Sequence, residues 1–154
     1  MAKLSEVEAA FAMLDTLINS VLDALDGLSA EELNWKPPVA DSNSALVIAT
    51  HVIGASQGHL LQTLCGQSID RDRAEEFRAS GDSAAPLRAA WDTVHARLNE
   101  ALDSVDNARL DATHEHPILG PMTGHTILAV AIRHAAEHLG HISLTRALIL
   151  AQRS

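Results

Sequence analysis

At 154 residues, 47% hydrophobic and 20% charged, the chain has the size and composition of one folded domain with a sizeable core, which excludes a disordered protein. A net charge of -9, from 11 basic and 20 acidic residues, argues against a nucleic-acid sleeve and against a basic helix lying on a membrane surface. One cysteine rules out a disulfide framework and any multi-cysteine zinc site; no signal-peptide core follows Met1, and Asp or Arg interrupts every apolar run, so a cytoplasmic single domain over residues 1–154 is expected.

Helix one is expected to open at Ser5, with Glu8 completing a capping box, and to close near Gly27. Val7, Phe11, Leu14, Ile18, Val21 and Leu25 step along it by four and three, the seam of a bundle. A second capping box, Ser29 with Glu32, starts a short turn that Pro37 and Pro38 stop. Helix two runs from an N-cap at Ser44 to about Cys65 and ends at Gly66. Gly54, Gly58 and several alanines make one side of it small, which reads as room for a substrate beside Ala55 and Gly58. Residues 67–82 are polar and charged and read as a connection. Helix three opens at Ser83, tolerates Pro86 in its first turn, and carries the line Leu87, Trp91, Val94, Leu98, Ala101 and Val105. Residues 106–122 read as irregular, with no strand alternation, and helix four runs from Thr123 to about Gln152. Four helices without a sheet predict an all-α four-helix bundle. A connection of about 16 residues after helix two reaches ~50 Å, more than the ~30 Å of a 20-residue helix, so helices two and three are free to run parallel.

The unusual feature is nine histidines, against two Phe and two Trp. On helix four the line Ile127, Ala131, His134, His138, His141, Thr145 and Leu148 puts three of them on a seam. The neighbouring line, Leu128, Ile132, Ala135, Leu139, Ile142 and Ile149, is apolar, so the imidazoles point inward or into a cleft. A buried imidazole without a partner costs about 1–3 kcal/mol, so these rings need one. His134 and His138 lie one turn apart, with Cβ atoms about 5–6 Å from each other, and two ring nitrogens at that spacing can converge on one metal. The pair reads equally as two core histidines bonded to backbone or water. His51, on the helix-two line Ile48, His51, Ala55, tips the balance by completing a three-histidine set. Three neutral imidazoles leave a fourth position open, the pattern of a catalytic zinc rather than a structural one. His59, two turns further on, is a second candidate. His134-Ala-Ala-Glu137-His138 also matches the His-x-x-Glu-His string of inverted zinc proteases, but none of the 16 residues after His138 is the acidic ligand those enzymes recruit. Glu137 is therefore read as a surface or outer residue.

Ser44-Ala-Leu-Val-Ile-Ala-Thr-His51, after a proline-containing loop, resembles the second-helix motif of the DinB/YfiT-like metal-dependent bundles. His134-Ala-Ala-Glu-His138-Leu-Gly140-His141 resembles their fourth-helix motif, His-x-x-x-His-x-Gly-Gln, and the likeness covers essentially the whole chain. The resemblance implies an up-down-down-up bundle with a crossover between helices two and three. It implies a divalent metal, zinc or nickel, held by His51, His134 and His138, and a homodimer. It also implies a small-molecule substrate and an S-transferase or isomerase that uses a low-molecular-weight thiol such as bacillithiol, mycothiol or glutathione.

One departure from the motif is His141 where the family has Gln; histidine titrates near neutrality and binds metals itself. His141 is read as a catalytic pocket residue, with Arg146 about a turn further on handling protons or an anionic group. The plainer reading of Arg146 is a C-terminal arginine that suits the helix dipole. Set against a metal-activated thiol or water are a non-catalytic metal- or ligand-binding bundle (a sensor or store) and a metal-free bundle whose histidines satisfy one another. Cys65 reads as a buried free thiol with nothing cationic beside it, Trp35 as a loop anchor, and His95 as a surface or interface residue. His114, His116 and His125 lie in or beside the irregular stretch before helix four and read either as plain loop residues or as the rim of a cleft.

Overall fold

In the computed structural model, which describes residues 2–153, the seam of the first helix forms one wall of the core. Val7, Phe11, Leu14, Ile18 and Val21 of α1 (Ser5–Asp23) are buried, and Leu25 joins them just past its end. The start of α1 departs from the expected capping box. Leu4 holds the N-cap position, its carbonyl accepts from the Glu8 N–H, and no side chain caps the first turn, so Ser5 and Glu8 are ordinary first-turn residues. The second box forms as expected ahead of α2 (Ala30–Asn34): Ser29 Oγ accepts from the Glu32 N–H, and the Glu32 carboxylate accepts from the Ser29 N–H.

Helix two begins as read, with Ser44 Oγ accepting from the Val47 N–H at the start of α3 (Ala45–Ser56), which is buried almost throughout. Past Ser56 the coil widens into a π-helical stretch, Gln57–Leu64. The Cys65 N–H bonds to the carbonyl of Leu60, five residues back, and Thr63 Oγ1 to that of Gly58. A π turn rotates the residues beyond it away from the face a 3.6-residue period assigns, so His59 is not simply two turns above His51. Gly66, at φ +68°, closes the helix in the left-handed conformation that glycine tolerates.

The polar connection contains a short helix, α4 (Arg73–Glu76), capped by Asp72, and it turns Glu76 into the interior. Then α5 (Ala85–Leu102), with proline in its first turn and Ala84 rather than Ser83 at the N-cap, buries Trp91, Val94, Leu98 and Ala101. The stretch before helix four is ordered, contrary to the expectation of irregular chain. It holds α6 (Asn107–Asp111) and an antiparallel hairpin of β1 (Thr113–His116) and β2 (Gly120–Thr123), in which His114 faces Met122 and His116 faces Gly120. The strand alternation is there, with His114 and His116 buried, but histidines carry it instead of apolar residues. Thr123 caps α7 (Gly124–Ala151) by accepting from the Thr126 N–H.

Helix α7 packs on α1 and α3, while α5 lies against α1, α3 and the π stretch. Polar pairs fix which ends meet. Lys3 reaches Asn99 and Asp103 at the end of α5, and Arg88 near its start reaches Asp23 and Asp26. His125, at the start of α7, reaches Glu6, and Arg146 near its end reaches the Ala24 and Asp26 carbonyls. No helix among the described residues is long and apolar enough to cross a membrane.

Candidate metal centre

The fold brings His51 of α3 to His134 and His138 of α7. Ring centroids lie 5.0 Å apart for His51 and His134, 5.0 Å for His51 and His138, and 4.5 Å for the pair on α7. One ligand nitrogen from each lies within 4.8 Å of the other two. The i,i+4 spacing on one helix and an inward position on another produce this cluster.

Glu76 decides how His51 is protonated. Its Oε1 sits 3.0 Å from His51 Nδ1, and an ionised carboxylate only accepts, so Nδ1 holds the proton. His51 Nε2 therefore turns a lone pair toward His134 Nε2, 3.2 Å away. Arg71 grips the same carboxylate from the other side, with Nε at 2.7 Å and Nη2 at 2.9 Å. Burial alone would raise the Glu76 pKa, but the hydrogen bonds from His51 and Arg71 prevail and hold it below the usual carboxylate value. Phe77 covers the imidazole of His51, ring centroids 4.8 Å apart. Nothing in the sequence singled out Glu76 or Arg71. The glycines of helix two were the available signal, and they make room for this ion pair. A Cβ on Gly54 would lie 1.8 Å from Glu76 Oε2, and one on Gly58 would lie 2.8 Å from Arg71 Nη1.

These residues fit a divalent metal. A carboxylate-oriented histidine presents a fixed lone pair, the usual support of a ligating imidazole. His138 Nδ1 is buried with no hydrogen-bond partner among the described residues. Burial first, and then the neighbouring imidazoles, push His134 down to about 2 and His138 down to about 4, so both are neutral near pH 7, the form a metal binds. His59 is likewise held down at about 4, chiefly by burial. Each ring is thus less basic folded than at the ordinary 6.5 of the unfolded chain. As pH falls below 6.5 the unfolded chain takes up protons first, so stability present above that value drains away toward pH 4. Melting temperatures of metal-free protein should be level above pH 7 and fall steeply across that window. A flat profile would contradict the burial of these rings.

The sequence profile of the DinB superfamily matches residues 13–142. The chain belongs to the DinB superfamily. Among solved structures, a DinB-like protein from Bacillus cereus ATCC 10987 superposes with a TM-score of 0.70 at 19% identity, covering 94% of this chain and 92% of that one. A conserved protein from Enterococcus faecalis superposes with a TM-score of 0.67 at 16% identity, covering 98% and 99%. At such identities the likeness is one of fold. No curated protein matches the chain.

In this DinB-superfamily chain the second candidate, His59, is excluded as a ligand in its present tautomer. The amides of Ile118 and Leu119 both donate to His116 Nδ1 at 3.1 Å, so His116 carries its proton on Nε2. That proton goes to His59 Nδ1, 2.9 Å away, which leaves the proton of His59 on its own Nε2, with no lone pair to offer. His141 stands beside the cluster, its ring centroid 5.3 Å from that of His138. Both line a cleft of about 300 Å³ walled by Val39, Ile48, Leu144 and Leu148.

Arg146 is not among the cleft residues. Its Nη1 donates to the carbonyls of Ala24 and Asp26, at 2.8 and 2.6 Å, and so ties α7 to the end of α1. These contacts lie at the C-terminal end of α1, where a cation suits the helix dipole, and not in the cleft. His114 bonds the Arg109 carbonyl, and exposed His125 bridges Glu6 and Asp111, so neither rims the cleft. His95 stacks on Phe11 at 4.8 Å. Cys65 does have a cation near it, Arg109, yet burial outweighs that charge and pushes the thiol up, so it stays protonated.

Proposed function

We propose that the chain is a metal-dependent enzyme of the thiol S-transferase type, with His51, His134 and His138 holding one zinc or nickel ion. The observation that carries this reading is the three-imidazole cluster with one tautomer set by Glu76. A divalent metal held there would lower the pKa of a thiol, or of water, placed at its open position. Glu76 and Arg71 keep the Nε2 lone pair of His51 aimed inward. His141, in the cleft beside His138, is the base that takes the thiol proton. Val39, Ile48, Leu144 and Leu148 supply an apolar wall for the organic part of the electrophile and shed water from it. The thiol is a small cellular one of the bacillithiol, mycothiol or glutathione kind.

The reading includes one domain over residues 1–154, a homodimer, and helices running up-down-down-up with a crossover after helix two. The paired ends support that order: α1 meets α5 head to tail and α7 head to head, while Ile48 near the start of α3 shares the cleft with Leu148 near the end of α7.

Elemental analysis of untagged protein should find about one metal per chain, lost in His51→Ala. Cobalt loading should then give a thiolate-to-cobalt absorption band on addition of glutathione. His141→Gln should keep the metal and the band but lower the thiol-transfer rate at saturating thiol. No metal uptake after reconstitution would remove the catalyst. Uptake without turnover of any thiol and electrophile pair would favour a sensor or store.

A further inference from the structure

A second pocket, about 150 Å³, meets the same cluster and shares no residue with the apolar cleft. His51, His59 and His134 line it, as do Arg71, Arg73 and Arg133. Three arginines of a chain with net charge -9 therefore converge on one small pocket, and no carboxylate lines it. Two of the three have carboxylate partners outside the pocket lining. Arg71 spends Nε and Nη2 on Glu76, and Arg133 spends Nη1 on Glu137, an exposed i,i+4 pair of little energetic weight. Arg73 lies over the Phe77 ring at 4.9 Å and makes no ion pair among the described residues.

His59 adds a second, independent sign. His59 is only 7% exposed, and Nε2 carries the proton because His116 fills Nδ1, yet Nε2 has no acceptor within the described residues. An unmet buried donor on a histidine that lines the same pocket as three guanidinium groups asks for an acceptor, and the arginines ask for that acceptor to be an anion. Arginine forks suit a carboxylate or phosphate, and a pocket of this volume beside the histidines accommodates the smaller, planar group.

We propose that this pocket is an anion subsite that binds a carboxylate of the substrate, so that one reactant carries its acid on the arginine side and the other enters by the apolar cleft. Its meaning as a substrate subsite rests on the proposed function, but its binding of carboxylate does not. Either the thiol or the electrophile can bring the acid, and a pair of probes tells them apart.

Nuclear magnetic resonance titration of metal-free protein with propionate and propionamide tests the pocket without the metal. The acid should bind about tenfold tighter than the amide, the worth of one charged hydrogen bond. In an Arg73→Gln/Arg133→Gln double variant, which leaves Arg71 and its hold on Glu76 intact, the two should bind alike with helicity unchanged. Equal binding to the parent protein, no binding of the acid, or a preference that survives in the double variant would overturn the proposal. A preference that stands while the protein takes up no metal would sink the proposed function and leave the anion subsite. With zinc-loaded protein, 3-mercaptopropionate favoured over its amide beyond the propionate ratio would assign the acid to the thiol; an unchanged ratio would assign it to the electrophile.

Discussion

His138→Ala should lower zinc affinity by more than about 100-fold and leave the helical content as it was. The magnitude follows from position: losing an outer partner of a ligand costs roughly 10–100-fold, and losing a ligand itself costs more. The fold should tolerate the change because His138 Nδ1 has no hydrogen-bond partner among the described residues to forfeit, and its proximity helps to make the neighbouring His134 less basic. Metal-free His138→Ala is therefore expected to melt no lower than metal-free parent protein. Competition against a chromophoric chelator gives the affinity, and circular dichroism gives the fold. Zinc bound as tightly as in the parent would mean that the metal sits elsewhere.

Gly54→Ala should weaken metal binding by about 10–100-fold, although the residue cannot itself touch the ion. The new methyl would lie 1.8 Å from Glu76 Oε2 and 2.6 Å from its carboxyl carbon, so the carboxylate has to leave. It cannot swing freely, because Arg71 holds it through two hydrogen bonds and the side chain is buried. His51 then loses the acceptor that keeps its proton on Nδ1, and Nε2 no longer presents a fixed lone pair. Helix propensity runs the other way, favouring alanine by about 1 kcal/mol, so a gain in stability with no loss of metal would refute the argument. A double-mutant cycle with Glu76→Ala locates the effect. If Gly54 acts through Glu76, the glycine change should cost nothing further once the carboxylate is gone.

The helices were legible because their information is local and periodic. The seam of α1, the cap at Ser44, the cap at Thr123 and the stop at Gly66 follow from side-chain spacing and from single residues with one conformational preference. The hairpin was hidden because its inward positions are His114 and His116, whose partners are polar atoms, so hydropathy gave no alternation. The π stretch was hidden because a wider turn leaves composition untouched and only shifts the angle at which later side chains project. Among the site residues, His51, His134 and His138 announced themselves by sharing inward lines on two helices. Glu76 and Arg71 did not, since they lie in a polar connection and acquire their role only when it folds back over Gly54 and Gly58. Arg146 illustrates a charge on a seam whose partners, backbone carbonyls at the end of another helix, no spacing rule could name.

The contact between Glu76 and His51 also couples two parts of the molecule that otherwise differ in kind. Glu76 belongs to a four-residue helix in the linking segment, too short to hold its shape by itself, whereas His51 sits deep in a long helix. Coupling of this sort is reciprocal: whatever free energy Glu76 contributes to holding an ion on His51, occupancy of His51 returns to the ordering of that segment. The segment between Gly66 and α5 would thereby report on an ion held at the site as well as help to build the site. With an ion bound on His51, its protection from exchange and cleavage should rise, so that the state of a buried centre would be legible at the surface of the protein.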